Sequence, residues 1–211
     1  MNFKKLQAMQ AKLDEAILAD KAPMTAEERF NKTLVALSVE IAEVANTVEH
    51  FKFWKDNKGK IDRKRFSVIH IFQEEELVDV EYMEGNTGVQ YADWEAHRLT
   101  LIEECSDALH FILSLANQID YEIDESLIKS FRYPRHPLDT LYVALQNKII
   151  NLATGYDKLG SLKSLLSFYT SYAIELGITP QELEQAYYDK NKINYERLEN
   201  GNYPMLKIYT T

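Results

Sequence analysis

The sequence predicts an all-α helical bundle with a small β-hairpin insertion around residues 66–83. Three observations carry this expectation. Most of the chain repeats apolar residues at spacings of three and four, the period of a helix with one buried face. Seven glycines and five prolines in 211 residues leave few breakers, which favours long helices. One segment, "RFSVIHIF" followed by "LVDVEYM", instead alternates apolar with polar residues and is rich in β-branched and aromatic side chains.

In chain order, Phe3, Leu6, Met9, Leu13 and Ile17 define a helix over residues 3–19. Thr25 and Glu28 form a capping-box signature that opens a second helix, expected to run to about Lys55, with Leu34, Leu37, Ile41, Val44, Val48 and Phe51 as its buried stripe. Residues 66–72 and 77–83 read as the hairpin, joined by the acidic "QEEE" and ended by "EGNTG". The helical period resumes near Tyr91, and Leu99, Ile102, Cys105, Leu109, Ile112 and Leu115 mark a long helix to about Ile119, expected to pack beside the helix that Thr25 opens. "IDESL" starts a short helix that "YPRHP" breaks, and helices over 138–154 and 161–176 follow. Thr179 as a cap, Pro180 at the first helical position and Glu182 in the first turn open the last helix, which should reach Leu198. With no repeat and no linker-like tract, one domain spanning 1–211 is expected, with an insertion at about 58–90.

Composition narrows the function. Asp and Glu outnumber Lys and Arg by 33 to 24, a net charge of −9, which argues against a stable nucleic-acid partner or an anionic membrane surface. The chain shows no membrane-length apolar run and no signal-peptide pattern, so a cytoplasmic protein is expected. The single Cys105 excludes an intramolecular disulfide and any multi-cysteine zinc site. An anionic ligand would need metal ions or a local basic cluster to offset the negative balance.

Both are present as candidates. Glu40 and Glu43 in "EIAEVANTVEHFKFWK" lie three apart on one helix face, and Glu104 and Asp107 in "LIEECSDALHF" repeat the arrangement on another. Each pair borders its helix's apolar stripe, so facing stripes would converge four carboxylates. Such a cluster is held together best by a hard cation such as Mg2+, which takes oxygen ligands. The same spacing also arises on solvated acidic faces, so spacing alone leaves both readings open. Lys190, Asn194 and Arg197 share one face of the last helix, either a phosphate grip or an ordinary charged surface. Lys52 and Lys55 stand beside Phe51, Phe53 and Trp54, residue types that hold a base and its phosphates or simply pack a helix end. The five histidines show no zinc-hydrolase spacing, and no P-loop, nucleophile elbow or Rossmann glycine pattern occurs.

Four pieces in order, "MQAKLD", "EIAEVANTVEHFKFWK", "EECSDALHFILSLANQ" and "KNKINYERLENGNY", resemble the dimeric all-α dUTP pyrophosphatases, relatives of MazG-like nucleotide pyrophosphohydrolases. The resemblance spans residues 9–203. It implies the all-α NTP pyrophosphatase fold, a homodimer, and Mg2+-dependent hydrolysis of dUTP, and of dUDP, to dUMP by a metal-activated water. More than one Mg2+ ion is implied, with Mn2+ as a substitute. Glu40, Glu43, Glu104 and Asp107 match the metal-binding acids, and Glu40 matches the acid that orients or deprotonates the attacking water. Gln10 matches a glutamine that reads the uracil edge, Lys190 and Arg197 match phosphate contacts, and Asn194 an amide near the deoxyribose. Trp54 and Lys55 match a motif that closes the site, and Tyr203 a substrate contact in the final motif. The gap between Glu43 and Glu104 is longer than the resemblance implies. The hairpin fills it, as a cover for the site, a dimer element or a surface for a protein partner. Two other functions stay open: pyrophosphohydrolysis of another or a broader set of nucleotides such as dCTP, and a non-catalytic helical dimer that binds a protein.

Overall fold

Thr25 and Thr179 open their helices as their neighbours dictate. In the computed structural model, which describes residues 1–19, 21–124 and 136–200, Thr25 Oγ1 accepts from the Glu28 N–H at 3.1 Å and the Glu28 carboxylate accepts from the Thr25 N–H at 2.8 Å. Thr179 and Glu182 repeat this box, with Pro180 at the first helical position. The elements are α1 (Phe3–Ala19), α2 (Ala26–Val48), β1 (Phe66–Gln73), β2 (Glu76–Glu84), β3 (Gln90–Ala92), α3 (Asp93–Gln118), α4 (Leu138–Thr154), α5 (Lys158–Glu175) and α6 (Pro180–Glu199). The all-α fold with a small β insertion is therefore as expected. The short helix expected from "IDESL" lies mostly outside the described residues. No described helix is long and apolar enough to cross a membrane.

The second helix ends at Val48 rather than near Lys55. Glu49 turns left-handed at φ 58°, and its carboxylate, 1% exposed, collects the Lys52 Nζ at 2.7 Å, the Lys55 Nζ and the Gly59 N–H at 3.2 Å. A buried carboxylate needs such donors, so the chain wraps around Glu49 instead of continuing the helix. These lysine hydrogen bonds hold the Glu49 carboxyl down to about 2. The apolar period overshot because Phe51, counted as buried, is 43% exposed in the wrap.

The core lies between α2 and α3. Leu34, Leu37, Ile41 and Val44 meet Cys105, Leu109, Ile112 and Leu115, all buried, each large aliphatic side chain contributing roughly 1.5–3 kcal/mol of transfer free energy. Three cross-helix markers fix the direction. Thr33 near the start of α2 accepts from Gln118 at the end of α3 at 3.0 Å, Glu40 meets Glu104 and Asp107 midway, and the end of α2 lies beside the start of α3 through Lys60. The two helices thus run antiparallel. α1 and α6 pack together on α3, while α4 and α5 pair, with α4 against α2.

The insertion is a three-stranded antiparallel sheet in the order β1-β2-β3; β3 is a strand the sequence pattern did not announce. Tyr82 pairs with Val68 on one side and Tyr91 on the other. Glu74 and Glu75 both have positive φ, the two-residue hairpin geometry that usually selects Asn or Gly. Phe66, Tyr82 and Ala96 form a separate small core that seats the sheet on the first turns of α3.

Candidate active site

Glu40 on α2 and Glu104 and Asp107 on α3 each offer a carboxylate oxygen, and the three oxygens lie within 4.8 Å of one another. All three side chains are half-buried. Burial, reinforced by the Asp107 charge, pushes both Glu40 and Glu104 up to about 7, and burial also raises Asp107. Carboxylates held this close without a cation also repel one another, which adds to the effect of burial on Glu40 and Glu104. The oxygen-only donor set and this repulsion fit a hard divalent cation such as Mg2+. Glu43 is exposed and falls outside the closest group, yet its charge acts on both Glu40 and Glu104.

Lys190 reaches this cluster from α6. Its Nζ donates to Asp107 Oδ2 at 2.6 Å and to Glu103 Oε1 at 2.9 Å, and the residue is 9% exposed. Burial opposes its charge, but Asp107 and Glu103 outweigh burial and raise its affinity for the proton. Glu103 was not singled out in the sequence. Its other oxygen accepts from Arg65 Nη1 at 2.9 Å, and Arg65 Nε donates to Glu84 at 2.7 Å, so the sheet is tied into the cluster. Burial would raise the Glu103 carboxyl, yet Lys190 and Arg65 bring it below its ordinary value. Arg197 is exposed two turns beyond Lys190, and its charge still reaches Asp107.

One helical turn beyond Asp107, a cleft of about 350 Å3 opens between α1, α2, α3 and α6, lined by Gln10, Asp14, His110, Ser114 and Asn194 among others. Gln10 is 4% exposed, and both ends of its amide are engaged. Its Nε2 donates to Asp14 at 2.7 Å, and its Oε1 meets His110 Nδ1 at 2.7 Å and the Tyr187 hydroxyl at 3.0 Å. The carboxylate of Asp14 fixes the amide orientation, which in turn requires the His110 proton on Nδ1. Nε2 is then a lone-pair acceptor, and no protein group pairs with it among the described residues. Burial and the nearby Lys190 charge hold His110 down to about 3, so the ring is neutral. Nothing in the spacing of the five histidines marks His110 out as a metal ligand. The signal that identifies it is its position three residues after Asp107, extending the row begun by Glu104.

Of the residues expected to form a site, Glu40, Glu104, Asp107 and Lys190 meet directly, while Gln10 and Asn194 share the adjoining cleft. Trp54 is 66% exposed and Lys55 is bound to Glu49, and neither lines that cleft. Tyr203 lies outside the described residues.

No curated protein matches the chain. The dUTPase family profile matches residues 2–92 and 90–203, so it takes in every element described above. The chain belongs to the dUTPase family and is a nucleotide pyrophosphohydrolase.

Proposed function

We propose that the whole chain acts as one Mg2+-dependent catalytic domain that converts dUTP, and dUDP, to dUMP. The observation that carries this reading is the juxtaposition, along α3, of a three-carboxylate cluster with a cleft lined by His110, whose buried Nε2 is an acceptor with no protein partner among the described residues. Uracil presents an N–H at N3, which suits that acceptor; cytosine presents a lone pair there, which does not. Gln10 enters as the group that sets the His110 tautomer and so decides what the base edge meets. Asn194 borders the sugar, between the cleft and Arg197.

Glu40, Glu43, Glu104 and Asp107 would hold the metal. When bound, Mg2+ offsets polyphosphate charge and makes a bound water more acidic. Glu40, on α2 facing the acids of α3, is placed to take the proton from the attacking water. Lys190 and Arg197 donate to phosphate oxygens as negative charge shifts toward the leaving group. Trp54 and Lys55, in the wrap that follows α2, are the side chains this reading assigns to closing the site. Tyr203 is the last substrate contact in this reading.

A homodimer is supported by an apolar strip on α2 and α4. Val35 and Val39 on α2 and Val143 and Ile150 on α4, all more than half exposed, flank the Ser38–Gln146 hydrogen bond of 2.8 Å. The deciding experiment assays pyrophosphate or phosphate release from dUTP, dTTP, dCTP and dUDP, with Mg2+ and after its removal. Preferential turnover of the uracil nucleotides that stops without Mg2+ is expected. Equal turnover of dUTP and dTTP would remove the uracil assignment.

A further inference from the structure

A second cleft, of about 470 Å3, lies at the root of the insertion, where Lys58, Lys60, Arg63 and His97 face Asp93 and Trp94. Three basic side chains, Lys58, Lys60 and Arg63, against one carboxylate make it an electropositive spot on a chain of net charge −9. Its place in the fold is specific. Lys60 Nζ donates to Asn46 Oδ1 at 2.6 Å, and Asn46 is three residues beyond Glu43 on α2. His97 is seven residues, or two turns, before Glu104 on the same face of α3, about 10 Å away at 1.5 Å per residue. The carboxylate cluster therefore has the His110 cleft on one side along α3 and this basic cleft on the other.

The walls are fixed in advance. The Lys60 N–H donates to Thr47 O at 2.8 Å, and the Lys60 carbonyl accepts from His97 Nδ1 at 2.8 Å. Gly59 sits at φ +109°, where a Cβ would come within 3.0 Å of the His97 ring, so only glycine allows this close approach. Arg63 lies over the Tyr82 ring at 5.1 Å. The Nζ of Lys60 has an amide rather than a carboxylate as its partner, so its charge stays available to an anion.

We propose that this cleft takes the terminal phosphates of the substrate and holds inorganic pyrophosphate before it leaves. The inference rests on the function proposed above. With the base at His110 and the α-phosphate at the carboxylates, the remaining phosphates extend toward Lys58, Lys60 and Arg63. Their charge is met there by flexible ammonium groups and one forked guanidinium.

The test measures binding of inorganic pyrophosphate with Mg2+ by calorimetry, a readout independent of turnover. The triple variant K58A/K60A/R63A, whose three side chains are exposed, should fold normally by thermal melt and bind pyrophosphate at least tenfold more weakly, with dUMP binding unchanged. Removing the same charge at Lys4, Lys148 and Lys163 should change pyrophosphate affinity less than twofold. Undiminished binding in the cleft variant, an equal loss in the remote variant, or no binding to the wild-type protein would each overturn the assignment. A wild-type protein that binds pyrophosphate through this cleft yet hydrolyses no nucleotide would uphold the cleft and refute the dUTP reading.

Discussion

Lys190 Nζ donates to Asp107 Oδ2 at 2.6 Å, tying the last helix to the acid row of α3. The contact is the point where the acidic and basic motifs of the sequence become one arrangement. Removing the ammonium leaves Asp107 half-buried beside Glu40 and Glu104 with less positive charge to offset them. Lys190→Met keeps the stem and deletes the charge. Losing one partner of a buried pair costs about 3–5 kcal/mol, and here a smaller loss of about 2 kcal/mol is expected because Asp107 can take up a proton. Urea unfolding of the metal-free protein checks this. The same variant should lower kcat for dUTP by about a hundredfold, since the lost donor is one that strengthens with developing charge. A variant of wild-type stability and wild-type kcat would detach Lys190 from both roles.

The raised proton affinities of Glu40 and Glu104 make the metal-free fold sensitive to pH in a defined direction. Both carboxyls sit near 7 when folded against an ordinary value of 4.5. Below 4.5 both are protonated in either state, and their contribution to stability is fully present. Between 4.5 and 7 the folded chain holds protons that the unfolded chain releases, so stability falls as pH rises through this window. Because solvent reaches both groups and they interact, the pair contributes roughly 2 kcal/mol of this loss. Metal-free protein should therefore melt lower at pH 8 than the pair's ordinary values would allow, and Mg2+ should restore stability there, by about 2.7 kcal/mol at a hundredfold excess over its Kd. Glu40→Gln should flatten the pH dependence, leave the fold intact and abolish hydrolysis. An unchanged rate would take Glu40 out of the mechanism.

The acid row was legible because helix periodicity fixes neighbours three and four residues apart, and because burying the two apolar stripes leaves α2 and α3 little choice but to face each other. Helix starts were legible for the same local reason: Thr25 and Thr179 satisfy their own N–H groups with residues three positions away. The end of α2 was not, since it depends on a buried Glu49 that gathers Lys52, Lys55 and Gly59, a contact set invisible to periodicity. β3 was missed because three residues carry too little alternation to stand out. Glu103 was missed for a different reason. Its partners, Arg65 and Lys190, come from 38 and 87 residues away, and only the folded sheet and α6 bring them to it.

Glu103 therefore tests whether the insertion supports the site. It holds Lys190 from one side and Arg65 from the other. Glu103→Gln keeps the shape and one acceptor but loses the charge, so Lys190 should lean wholly on Asp107 and weaken its availability for metal. The expected outcome is a reduced Mg2+ affinity, by about tenfold, with KM for dUTP at saturating Mg2+ changed far less. Glu103→Asp, which restores charge at a shorter reach, should recover part of the affinity. Equal effects of both variants on Mg2+ affinity would mark Glu103 as a packing residue only.

His110 offers the sharpest test of base selection. Its ring stacks on Tyr187 with centroids 4.1 Å apart, so His110→Phe preserves the aromatic contact while deleting both nitrogens. Gln10 Oε1 keeps the Tyr187 hydroxyl as a donor at 3.0 Å, which limits the structural penalty. On the function proposed above, the variant loses the acceptor for the uracil N–H that cytosine cannot supply, a discrimination worth about 1–3 kcal/mol when a buried polar group loses its partner. KM for dUTP should rise about tenfold or more, kcat should change little, and the preference for dUTP over dCTP should shrink. Because burial holds the wild-type ring down to about 3, KM between pH 5.5 and 8 should show no inflection from this histidine. A KM inflection that disappears in the variant would mean that a charged imidazole meets the base, and an unaltered dUTP-to-dCTP ratio would move base selection elsewhere in the cleft.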